Sequence, residues 1–154
     1  MNIHDEFLAV VNALERANIQ YAVCGGLAVA LHGFPRHTKD IDIIIQETDL
    51  EVVKQVVAII GFDIESGLIR FKTGQPNEER VFRVVKIEGT EYLMLDLILV
   101  TPALNAIWSD RERFLLGEQQ VTVVSKQGLI SMKRLAGRPI DLLDVSHLEG
   151  KPQE

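Results

Sequence analysis

Apolar positions along the chain recur first at helical spacing and then at strand spacing. Phe7, Leu8, Val11, Leu14 and Ala17 fall three or four apart, which predicts an amphipathic helix over residues 4–18. Residues 19–24 form a short apolar run that predicts a strand. Gly25-Gly26 breaks that run, and the segment LAVALH after it predicts a helix stopping near Gly33-Phe34-Pro35. Residues 40–46 predict a second strand. Thr48-Asp49 can cap a helix reaching about Ile60, with Val52, Val53, Val56, Val57 and Ile60 on one stripe.

The middle of the chain reads as strands: FDIE, LIRFKT and RVFRVVKI, divided by turn signals at Ser66-Gly67 and at residues 74–77. YLMLDLILV, residues 92–100, predicts a fully buried strand, and the pattern over 104–117 leaves its element open. Residues 119–124 predict a strand, Ser125 caps a helix to about Ala136, and a last helix spans roughly 139–148. The succession predicts one α+β domain over residues 1–150 with a mixed sheet flanked by helices, and a frayed tail at 151–154.

Two polar intrusions break this apolar pattern. Asp40 and Asp42 head the strand DIDIII. Alternate residues of a strand share a face, so the two carboxylates point one way while Ile41, Ile43 and Ile45 point the other. Close carboxylates repel unless a cation or protons lie between them. For an isolated D-x-D, a solvated strand end is the plain alternative. Asp96 is the third acid, and it stands alone among the apolar residues of LMLDLILV. A buried unpaired carboxylate costs several kcal/mol, so Asp96 calls for an arginine or lysine, backbone donors, or a metal. If strand 92–100 lies beside strand 40–46, the three carboxylates converge and a pair of divalent ions resolves both burial and repulsion. Oxygen ligands favour Mg²⁺ or Mn²⁺. His4, His32, His37, His147 and Cys24 have no zinc-like spacing.

Gly25-Gly26 lies between a strand and a helix, where bare backbone can approach an anion closely; a tight turn is the ordinary alternative. It is neither a G-K-[ST] phosphate loop nor G-x-G-x-x-G.

Composition narrows the partners. The chain has 154 residues, 47% hydrophobic and 25% charged, with a formal charge of −6, which argues against a broad DNA-binding surface. Local basic clusters exist at Arg36, His37, Lys39 and at Lys133, Arg134, Arg138. No apolar run is long enough to span a bilayer, the N-terminal segment has a charged helix pattern rather than that of a signal peptide, and a lone cysteine forms no internal disulfide. A cytoplasmic protein is the expectation.

Taken in order, CGG, RHTKDIDIII and LMLDLIL resemble the signature of the polymerase β-type nucleotidyltransferase superfamily. They are most similar to its small single-domain branch of AbiEii-like toxins and lincosamide and aminoglycoside nucleotidyltransferases. The segment VTVVSKQGLISMKRLAGRPIDLLDVSHL is similar to the closing pattern of that branch. The resemblance implies transfer of NMP from an NTP to a hydroxyl, with two Mg²⁺ or Mn²⁺ ions held by Asp40, Asp42 and Asp96. It implies that Gly25, Gly26, Arg36 and Lys133 meet the nucleotide, and that Arg138, Asp141 and Asp144 lock the last helix. Acceptors within the superfamily include RNA ends, proteins and small hydroxylated molecules, and a toxin-like member would have a separate antitoxin. A non-catalytic nucleotide-sensing or partner-binding module on the same fold is the rival reading. One departure stands out: many relatives follow the first glycine with serine, and here the pair is Gly25-Gly26 followed by Leu27.

Overall fold

The computed structural model of the chain describes residues 1–150; the tail expected at 151–154 lies outside them. The chain runs α1 (Ile3–Arg16), β1 (Ala22–Cys24), α2 (Gly25–Leu31), β2 (Asp40–Ile45), α3 (Leu50–Ile59), β3 (Ile64–Phe71), β4 (Glu79–Glu88) and β5 (Glu91–Leu99). It continues with α4 (Asn105–Ser109), β6 (Glu112–Leu116), β7 (Gln119–Val123), α5 (Lys126–Ala136) and α6 (Pro139–Leu148).

All the strands join one seven-stranded sheet in the order β3-β4-β5-β2-β1-β7-β6. β2 runs parallel to β5 and β1 parallel to β7, while the other pairs are antiparallel, so the sheet is mixed. The centre is the most apolar part: Ile41, Ile43, Ile44, Ile45, Leu95, Leu97 and Leu99 are all buried, as strands covered on both faces require. Helices α1 and α3 cover the face of Ile41, Ile43 and Ile45. There Lys86 of β4 donates to Glu6 of α1, and Lys54 of α3 stands over the Phe82 ring at 4.8 Å. On the other face α2, α5 and α6 pack over the β1–β2 side, which leaves a cleft between α5 and the middle of the sheet.

Several boundaries differ from those the pattern predicts. FDIE and LIRFKT are not two strands but one, β3. Ser66-Gly67 is a bulge that shifts its register against β4 between Glu65 and Gly67. The first strand is only Ala22–Cys24, and the helix after it begins at Gly25 itself rather than after the glycine pair. The open segment 104–117 resolves into the short α4 and the edge strand β6.

Candidate active site

The register of the central strands brings the acids together. Asp42 of β2 stands directly opposite Asp96 of β5 in the parallel ladder, Asp40 lies opposite Met94, and Cys24 of β1 lies opposite Asp42. Paired positions share a face, so Asp40, Asp42 and Asp96 occupy the same side of the sheet. Burial and, after it, mutual repulsion disfavour their charged forms. Burial, then the charges of Asp96 and Asp40, push Asp42 up to about 7. Burial and the Asp96 charge also raise Asp40.

Asp96 has a partner that the sequence reading did not name. Arg83 of β4 stands across from it in the antiparallel ladder and donates from Nε to Oδ1 at 2.8 Å and from Nη2 to Oδ2 at 3.1 Å. Asp96 therefore does both things set out as alternatives: it faces the D-x-D, and it is paired with an arginine. Only a weak signal for Arg83 was available: it is the one charge in the run VFRVV, but its strand also carries Arg80 and Lys86.

Glycine at position 25 is explained by Asp42. Gly25 has φ +65°, and a Cβ built there would lie 2.2 Å from Asp42 Oδ2. A Cβ at Gly26 would meet Thr38 Oγ1 at 2.7 Å and Arg36 Nη2 at 3.1 Å. The open sides of both glycines are thus taken up by protein groups, the first by a candidate metal-binding carboxylate.

The D-x-D pair opens onto two clefts. Asp42 and Gly25 line the cleft under α5, together with Lys72, Glu79, Lys133 and Arg138 and an apolar wall that includes Leu104, Leu129 and Met132. Asp40 lines a separate groove at the head of β2, with His37, Lys39, Tyr92 and Met94. The D-x-D thus straddles the two. Lys72 and Glu79 are cleft residues that no motif pointed to; burial raises the Glu79 carboxyl.

Two residues assigned to the nucleotide are engaged elsewhere. Lys133 is buried, with Nζ 3.3 Å from Asp141 and 3.1 Å from Asp144. Arg36 pairs with Asp144 through Nε at 3.0 Å and donates from Nη2 to Asp144 at 3.0 Å. Arg138 donates to Asp141 at 2.6 Å and 3.1 Å. Burial would raise Asp141, but the Arg138 hydrogen bond and the Lys133 charge outweigh it and hold the carboxyl low. Arg36 and Lys133 bolt α6 to the rest of the molecule, while Arg138, the residue that caps α6, braces Asp141 within its own first turn.

The donor set partly fits a hard divalent cation. Asp40 Oδ1 is buried without a hydrogen-bond partner, and among the described residues no hydrogen bond or ion pair engages Asp42. Such oxygens are suited to Mg²⁺ or Mn²⁺. No group of three His, Cys, Asp or Glu among the described residues is arranged to hold a metal as it stands, and Asp96 is held by Arg83.

A seven-stranded mixed sheet with helices on both faces and a glycine turn against a D-x-D strand is the nucleotidyltransferase fold. The family model for aminoglycoside-2''-adenylyltransferase matches residues 6–92, and the chain belongs to that family. The match spans Gly25, Gly26, Arg36, Asp40 and Asp42 and ends before Asp96.

Solved structures agree on the fold. The solution structure of ANT(2'')-Ia has a TM-score of 0.62 at 14% identity, covering 96% of this chain and 83% of the other. The crystal structure of ANT(2'')-Ia with adenylyl-2''-tobramycin has a TM-score of 0.59 at 15% identity, covering 90% and 82%. A Thermotoga maritima protein provisionally assigned as a nucleotidyltransferase has a TM-score of 0.60 at 13% identity, covering 92% and 88%. A comparison with curated protein sequences gives no match. No described helix is long and apolar enough to cross a membrane.

Proposed function

We propose that the protein is a metal-dependent nucleotidyltransferase that moves NMP from an NTP to a hydroxyl of a small molecule and releases pyrophosphate. The observation that carries this reading is the Asp42–Asp96 register. It places three carboxylates on one face beside a cleft whose wall can take a nucleobase and whose rim carries Lys72 and Arg138. Asp40 and Asp42 would hold Mg²⁺ or Mn²⁺, which when bound neutralises phosphate charge and favours in-line displacement at the α-phosphorus. Gly25 keeps a side chain out of the space that Asp42 occupies. Asp96 is fixed by Arg83 through one lone pair on each oxygen, so it retains acceptor capacity for the O–H of the incoming alcohol and can orient it.

Membership of an aminoglycoside-modifying family and the ANT(2'')-Ia complex with adenylyl-2''-tobramycin favour a small hydroxylated acceptor over RNA or protein. The acidic balance of the chain points the same way. A cytoplasmic location fits the proposed nucleotide use, and no observation favours a separate antitoxin.

One observation favours a second reading. The Arg83–Asp96 pair is also what a non-catalytic nucleotide-binding module would carry to satisfy a buried acid. Labelled NTPs incubated with small hydroxylated compounds, total RNA and lysate protein separate the two readings. The expected result is label on the small-molecule fraction with wild type. Asp96→Asn should lose about 10³-fold in turnover, roughly 4 kcal/mol of transition-state stabilisation, with little change in nucleotide affinity. Tight Mg²⁺–NTP binding with no labelled product in any fraction would make the protein a sensor rather than an enzyme.

A further inference from the structure

Arg83 occupies an unusual position for a strand residue in the middle of a sheet. Its neighbours Phe82 and Val84 are apolar, and it reaches Asp96 from the directly opposed position of the ladder, where cross-strand side chains are nearest neighbours. The pairing is thus set by backbone register rather than by a long side chain sampling the surface. Both guanidinium contacts are short, and both Asp96 oxygens are used. The Arg83 cation also lies in the field of Asp40 and Asp42, whose charges, after the Asp96 hydrogen bond, hold its proton more tightly.

We infer that Arg83 stands in for one of two metal ions, so that the chain binds a single divalent cation, at Asp40 and Asp42, and Asp96 is not a metal ligand. This rests on the nucleotidyltransferase reading above. The charge balance supports it. Before nucleotide binds, the three carboxylates and the guanidinium paired with Asp96 sum to two negative charges, which one divalent ion neutralises, and the guanidinium cannot deprotonate to make room for a second. The ligand inventory agrees. The buried unpartnered oxygen belongs to Asp40, Asp42 has no partner among the described residues, and Asp96 alone of the three already has a cationic partner on both oxygens. Arg83 is a positioning residue: it fixes the Asp96 carboxylate and supplies a permanent charge where a second ion would otherwise sit.

The test is a Mn²⁺ titration of the full chain with a non-hydrolysable NTP analogue, read by calorimetry and by electron paramagnetic resonance, which distinguishes isolated from coupled Mn²⁺. Wild type is expected to bind one ion with an uncoupled spectrum. Arg83→Met removes the charge while keeping an apolar stem, and it should admit a second ion and give the coupled spectrum. Arg83→Lys should stay at one ion. Asp96→Asn, whose result does not depend on Arg83→Met folding, should leave the ion count unchanged and weaken affinity by less than about tenfold through the lost nearby charge, whereas loss of a ligand would weaken binding by about tenfold or more. Two coupled ions in wild type, or such a loss in Asp96→Asn, would overturn the inference and leave the nucleotidyltransferase reading intact. One ion in both wild type and a folded Arg83→Met would also overturn it. No Mn²⁺ binding by any variant, even with the analogue, would overturn the nucleotidyltransferase reading itself.

Discussion

The molecule holds two clusters of buried or half-buried acids, and their surroundings differ. At the α5–α6 junction, Asp141 and Asp144 meet Lys133, Arg36 and Arg138, and each carboxylate has at least two cationic partners within about 3.3 Å. On the sheet, Asp96 alone of the three acids has an ion pair, with Arg83; Lys133 and Arg138 act on Asp42 only through their charge, and it is pushed up to about 7. The first cluster is electrostatically complete and serves to hold a helix. The second carries uncompensated negative charge at the junction of two clefts, a cost to the apo fold that a bound cation would relieve. Counting charged residues in the sequence would rank the clusters equal, whereas counting their partners separates structure from chemistry.

The sharpest way to break this contrast is to remove one charge from each cluster. Lys133→Met removes the buried cation that Asp141 and Asp144 share and leaves each with a single arginine partner. It is expected to cost roughly 3–5 kcal/mol, or about 10 °C or more in melting temperature. Asp42→Asn should leave the apo protein as stable as wild type or slightly more so, and should abolish the rise in melting temperature that Mg²⁺ plus NTP gives. Thermal melts with and without Mg²⁺–NTP check both. If Lys133→Met melts like wild type, the lock is not structural.

A smaller effect comes from Gly25→Ala. The positive φ costs about 1–2 kcal/mol for a residue with a side chain, and the new Cβ would have to displace the Asp42 carboxylate. Nucleotide-dependent stabilisation should fall together with stability, measurable in the same melts. Gly137→Ala, at a helix C-cap with φ +68° and its nearest contact at 3.6 Å, should show only the stability loss.

The smallest effect is on pH dependence. Burial, reinforced by the charges of Asp96 and Asp40, raises Asp42 in the folded state, so the native protein binds a proton that the unfolded chain has already released between about pH 4 and pH 7. This group therefore makes the apo protein lose stability as pH rises through that window. Asp40 is raised as well and acts in the same sense. The difference in melting temperature between Asp42→Asn and wild type should widen in favour of the variant from pH 5 to pH 8 without metal. A constant difference would mean that Asp42 is not strained.

Local pattern carried most of the architecture. Alternation in DIDIII placed two acids on one face and the isoleucines in the core, the apolar run 92–100 marked a central strand, and Asp96 stood out because nothing else from Leu93 to Leu99 is polar. These features are written in residue type and spacing, and burial of apolar surface enforces them wherever the chain goes. The boundaries around Ser66-Gly67 and residues 104–117 were less legible, because a bulge and a five-residue helix leave no period to read.

What only the tertiary structure decided was which charge meets which. Arg83 and Asp96 lie thirteen positions apart, and Arg36 and Asp144 lie 108 apart. Lys133 reads equally well as a phosphate clamp or as the buried centre of a lock. Sequence fixes the identity and number of charges, but their energies depend on distance and desolvation. Those are set when β4 registers against β5 and α6 docks on the loop before β2.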